Sequence, residues 1–124
     1  DDTEYNFYKF DTAYGKSKFL TEKFFKKYKE KIKYPITVCS PGHILGPASS
    51  EISKSNEFVY NIFRKKICFY TKTKYAIVDI SDVCKSINLL LSPSIANEKY
   101  LICKQNPSML ELIKICEEIQ NQKK

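Results

Sequence analysis

The sequence predicts an α/β fold with a mainly parallel sheet. Short strand-like runs at 36–40, 75–80 and 99–103 alternate with longer segments of helical period. Prolines, glycines or capping residues stand at most of the junctions between them. The 124 residues suffice for one domain with a modest core, and a hydrophobic share of 43% marks a globular chain.

Taken in order, residues 1–11 carry no helical or strand period and read as a polar, aromatic loop. Thr12 is placed to cap a helix that runs to about Lys33, where Pro35 stops it. Residues 36–40, bounded by Pro35 and by Pro41 and Gly42, read as a buried strand. Residues 41–56 collect turn formers (Gly42, Gly46, Pro47, Ser49, Ser50) and read as a long loop, a feature usually tied to function. A helix is expected at 57–66, a short strand at 67–70 and a better one at 75–80. Ser81 or Asp82 then caps a helix that Pro93 ends. After a strand at 99–103, Ser108 and Glu111 form a capping box that opens a last helix. Leu112, Ile113, Cys116 and Ile119 are expected to face inward there.

Composition narrows the function classes. The net charge is +7, but the lysines lie largely on the outer face of the first helix, and Arg64 is the one arginine. Arginine is the usual base-reading residue, so nucleic acid is not the expected partner. No apolar run approaches the roughly 20 residues needed to cross a membrane, and residues 1–8 are too polar and acidic to read as a signal peptide. The five cysteines are widely spaced, without a Cys-x-x-Cys pair, and most sit in apolar runs. They read as small buried hydrophobes without metal, in a reducing compartment such as the cytoplasm.

The stretch that points to chemistry is Tyr14-Gly15-Lys16-Ser17-Lys18. Tyr14 and Lys18 are one helical turn apart and share a face. With Tyr14 as origin, Lys18, Thr21, Phe25, Tyr28 and Ile32 fall within about 40° of it. Lys18 is therefore the one lysine projecting from a mostly apolar stripe, while the other lysines of this helix point elsewhere. A cation beside a phenol favours the phenolate, and such a pair can donate and accept a proton near neutral pH.

Several motifs in order resemble the extended short-chain dehydrogenase/reductase family over nearly the whole chain. Tyr14-x-x-x-Lys18 resembles its catalytic Tyr-x-x-x-Lys, in the setting Tyr-Gly-x-Ser-Lys. ITVCSPGHILGP (36–47) resembles the following strand and the Pro-Gly nicotinamide loop. YAIVDISDV (75–83) resembles the Val-Asp-x-x-Asp-Val segment, in the form most similar to the dihydroflavonol-reductase-like branch. Residues 100–118 resemble the late strand and helix. Ser40 stands where many members have arginine, which tells against sugar-nucleotide chemistry, and Ser81 where the branch often has arginine.

The resemblance implies the later half of a Rossmann-type fold with part of the small substrate domain. It implies a small carbonyl or alcohol substrate and NADP or NAD as cofactor. Tyr14 would protonate the carbonyl oxygen, and Lys18 would tune Tyr14 and hold the ribose hydroxyls. Pro41, Gly42, His43 and Ile44 would line the nicotinamide, with an amide near Ile44 meeting the carboxamide. The family's Gly-rich pyrophosphate turn has no counterpart among these residues, whose glycines number three. The expectation is that a companion N-terminal half supplies it and that the chain by itself is inactive and prone to self-association. The other readings are a sugar-nucleotide epimerase or dehydratase and a non-catalytic interaction module. His43 reads as a second acid–base group or a loop residue. Asp79 and Asp82 read as a strand tie and a helix cap. Phe58, Tyr60, Phe63, Phe69 and Tyr70 read as core or as a substrate wall.

Overall fold

A computed structural model describes residues 11–47, 51–65, 71–92, 94 and 98–122. The elements run α1 (Ala13–Tyr28), β1 (Val38–Pro41), β2 (His43–Leu45), α2 (Lys54–Phe63), β3 (Ile77–Asp79), α3 (Ile80–Leu90), β4 (Lys99–Ile102) and α4 (Met109–Gln122). Both strand pairs are parallel, as the alternating pattern implies. β1 pairs with β4 in the register Val38↔Lys99 to Pro41↔Ile102, and β2 pairs with β3 from His43↔Ile77 to Leu45↔Asp79.

β1 and β2 are nearly one extended stretch that changes partner at Gly42. The Gly42 N–H donates to the Ile102 carbonyl at 3.0 Å, and the His43 N–H donates to the Ala76 carbonyl at 2.7 Å. β4 thus flanks the first part of this stretch and β3 the second. The turn beyond β4 closes the arrangement, because the Lys104 and Gln105 amides both donate to the Ile77 carbonyl.

The core forms where α2 and α4 meet over β3. Ile62, Met109, Leu112 and Cys116 are buried, with Phe58, Val59, Phe63, Tyr75, Ile77 and Ile113 packed around them. Val78 and Val83 are buried at the junction of β3 with α3. The apolar period of α2 and α4 dictates these contacts, since residues three and four apart share the buried face. Ile119, expected inward, is 42% exposed.

Several boundaries differ from expectation. α1 ends at Tyr28, and the turn after it tightens, with Lys31 and Ile32 amides both donating to the Tyr28 carbonyl. α2 starts at Lys54, capped by the Ser53 hydroxyl. Residues 41–56 contain β2, because pairing with Ile77–Asp79 outweighs the turn formers on either side. Asp79 rather than Ser81 or Asp82 caps α3, accepting from the Ser81 amide at 2.8 Å. The capping box at α4 is as expected: the Ser108 N–H donates to Glu111 at 2.7 Å, and the Glu111 N–H returns to Ser108 Oγ at 3.3 Å. The strand expected at 67–70, the loop at 1–10 and Pro93 lie outside the described residues.

The described cysteines are free thiols, but they are not uniformly buried. Cys116 is buried and Cys39 half-buried, whereas Cys84 and Cys103 are exposed. Cys103 follows β4, whose residues alternate in burial, and its thiol reaches the Gln105 carbonyl at 3.0 Å. Among the described residues no helix is long and apolar enough to cross a membrane.

Candidate functional site

Thr12 sets the start of α1. Its extended backbone and its hydroxyl, which accepts from the Gly15 N–H at 3.0 Å, fix the first turn. Tyr14 and Lys18 then stand on consecutive turns of one face. The Ser17 hydroxyl donates back to the Tyr14 carbonyl at 2.8 Å, and Thr21 repeats this to Ser17 at 2.9 Å.

Tyr14 is 71% exposed, and Lys18 Nζ lies 5.3 Å from its ring centroid. That is cation–π distance, so the ammonium rides over the ring rather than against the hydroxyl. Among the described residues neither the Tyr14 hydroxyl nor the Lys18 ammonium has a hydrogen-bond or ion-pair partner. The structure therefore brings the two side chains of this pair together.

Pro41, Gly42, His43 and Ile44 form the switch between the two strand pairs. Gly42 is held close to β3: a Cβ there would lie 2.8 Å from the Ala76 carbonyl carbon and 2.9 Å from the Ala76 Cβ. Glycine is required by this approach of two backbones. Since the His43 N–H faces Ala76, the next N–H along the extended chain, that of Ile44, faces away from β3. It lies just past the carboxyl end of β1. Open α/β sheets hold ligands in crevices at the ends of their strands.

His43 is exposed, its ring 6.0 Å from Phe58 and 5.8 Å from Tyr75, and those two rings are 5.0 Å apart. This stack serves as a packing surface for β2. Phe58 and Phe63 pack on the core, while Tyr60 is exposed beneath the Arg64 guanidinium. Phe69 and Tyr70 lie outside the described residues.

The two aspartates are occupied structurally. The Ser81 hydroxyl and amide hold the Asp79 carboxyl below its usual range. The Lys104 ammonium, at 2.8 Å, does the same for Asp82 and is itself raised in return. Lys85 adds a longer contact to Asp82 at 3.7 Å. One residue that local sequence reasoning missed is Asn56, whose side chain bonds both ways to Gly46. Its partner is ten positions away, so no local spacing signals it.

Residues 1–85 match the NAD-binding male sterility protein family, a span that holds Tyr14, Lys18, the strand switch and the start of α3. The chain belongs to this family. This match fits the extended short-chain dehydrogenase/reductase class that the motifs resemble. The crystal structure of gox2253 superposes with a TM-score of 0.84 at 19% identity, over 97% of this chain and 36% of that one. A nucleoside-diphosphate-sugar epimerase from Pseudomonas aeruginosa, PA4631, gives 0.71 at 16% identity, over 90% and 36% of the two chains. A dTDP-glucose 4,6-dehydratase from Bacillus anthracis, solved in complex with NAD, gives 0.70 at 17% identity, over 90% and 37%. At these identities the likeness is one of fold, and the chain spans a little over a third of each of these structures. No curated protein matches the chain in sequence.

Proposed function

We propose that the protein carrying this chain is an NAD- or NADP-dependent reductase or dehydrogenase acting on a small carbonyl or alcohol, of the dihydroflavonol-reductase-like kind. Tyr14 and Lys18 are its acid–base pair. The observation that carries this is the pair itself: a phenol and an ammonium on adjacent turns, both without partners among the described residues, at the start of a helix in an NAD-binding family.

The arrangement of α1 and β1 supports one site built from both sequence segments. Glu22 on α1 pairs with Lys99 at 2.5 Å, and Lys99 is in register with Val38. Tyr14 lies back along the helix from Glu22 by about 12 Å, at 1.5 Å per residue. Pro41 lies ahead of Val38 by about 10 Å of strand. A helix feeding a strand through a short connection runs back alongside it. The start of α1 and the strand switch then fall at the same height.

The donor set fits a nicotinamide riboside. The Lys18 ammonium offers three N–H groups to ribose hydroxyls, and the Ile44 N–H offers one to a carboxamide. A dinucleotide bound there supplies or accepts hydride. Tyr14 gives its proton to a carbonyl oxygen, or takes one from an alcohol, and Lys18 stabilises the phenolate between turnovers. Pyrophosphate capture requires a glycine-rich turn, which these residues do not contain, so the site is completed from elsewhere in the protein.

The test is a fluorescence titration of NADH and NADPH into the intact protein and into Lys18→Ala. Binding that weakens by at least about tenfold in the variant supports the reading, as expected for the loss of charge-assisted bonds. Equal binding by both would overturn it.

A further inference from the structure

We propose that Asn56 is a positioning residue for the strand switch, holding residues 41–46 in the shape that receives the nicotinamide end of the cofactor. The inference rests on the function proposed above and assigns a role to α2 that no motif carries. The Asn56 Nδ2 donates to the Gly46 carbonyl at 2.6 Å, and the Gly46 N–H donates to Asn56 Oδ1 at 3.3 Å. One side-chain amide thus satisfies both polar groups of one residue, much as a neighbouring strand would. Gly46 directly follows β2, at the point where the chain leaves its pairing with β3.

A second contact from the same helix acts at the other end of the segment. Phe58 stacks on the His43 ring at 6.0 Å with the planes inclined by 26°. Asn56 and Phe58 therefore hold β2 at its exit and its entry. α2 is itself fixed, because Phe58, Val59, Ile62 and Phe63 belong to the core packed on α4, and the Ser53 hydroxyl accepts from the Asn56 amide at 3.2 Å. The chain links the core, through α2, to the backbone that faces the cofactor. β2 alone has three residues paired on one side, which is too few to hold a precise shape.

Removing the clamp leaves the core intact and lets the segment sample other shapes. Apparent affinity falls by the fraction of time the competent shape is kept. The loss of two hydrogen bonds of ordinary net strength lowers that fraction to about a tenth or less. The test compares the intact wild-type protein with Asn56→Leu and Asn56→Asp by NADH and NADPH titration, thermal melting and amide hydrogen exchange. Asn56→Leu should bind the dinucleotide about tenfold more weakly, with the α4 amides as protected as in the wild type and the Gly46 amide exchanging faster. Asn56→Asp keeps the acceptor for the Gly46 N–H but loses the donor, and should fall between the two. Wild-type affinity in Asn56→Leu overturns the inference while leaving the proposed function standing. So does a uniform loss of protection that includes α4 in both variants, since that marks a general structural role. A wild-type protein that binds neither dinucleotide overturns the proposed function and this inference with it.

Discussion

Gly42→Ala tests the strand switch on which the candidate site is built. A Cβ at this position would lie 2.9 Å from the Ala76 Cβ and 2.8 Å from its carbonyl carbon. Carbon atoms pack at about 3.5–4.0 Å, so the two backbones must separate by roughly 0.7 Å. The His43 N–H bond to Ala76, now 2.7 Å, would stretch to about 3.4 Å, beyond good hydrogen-bond length. A lost bond costs about 0.5–1.5 kcal/mol, and overpacking adds about 1–3 kcal/mol. The expected destabilisation is about 2–4 kcal/mol, a fall in melting temperature on the order of 10 °C. Urea unfolding and calorimetry of the intact protein measure it. A change below about 0.5 kcal/mol, the size of an indifferent surface substitution, would refute the close approach of residues 42 and 76.

Leu112 is 7% exposed in the core between α2 and α4, so Leu112→Ala should cost about 2–5 kcal/mol in urea unfolding. Cys84 and Cys103 are exposed, while Cys116 is buried and burial pushes its thiol up. Iodoacetamide at neutral pH should therefore modify the first two well before Cys116, as read by mass spectrometry of timed samples. The Ser108 amide, then its hydroxyl, holds the Glu111 carboxyl below the usual glutamate value of 4.5. A carboxyl lowered in the folded state contributes stability that is present above that value and lost as pH falls through the folded-state one. Melting temperature should decline on acidification below about pH 4.5, and Glu111→Gln should flatten that part of the profile.

Features set by neighbours in sequence were legible in it. Thr12 caps α1 and Ser108 with Glu111 caps α4 because each bond spans three residues, which spacing reveals directly. The parallel α/β class followed from the alternation of short strand-like runs with helical periods. Features set by distant partners were not legible. His43, Ile44 and Leu45 look like part of a loop between turn formers, and only their register with Ile77, Val78 and Asp79 makes them a strand. Asp79, Ser81 and Asp82 are all capable caps. The choice of Asp79 depends on where β3 ends and on Lys104 drawing Asp82 away. In the candidate site, the helical spacing of Tyr14 and Lys18 implied their contact, while the two-way bond between Asn56 and Gly46 depends on how α2 docks.

The most direct test of the central claim is Tyr14→Phe in the intact protein. Cofactor affinity is measured by fluorescence titration and turnover by nicotinamide absorbance with a reducible carbonyl substrate. The substitution removes the hydroxyl alone and keeps the ring over which Lys18 lies. The account predicts that turnover falls by about 10²–10⁴-fold, the usual contribution of a positioned proton donor, while cofactor affinity changes little. Wild-type turnover in Tyr14→Phe would contradict it.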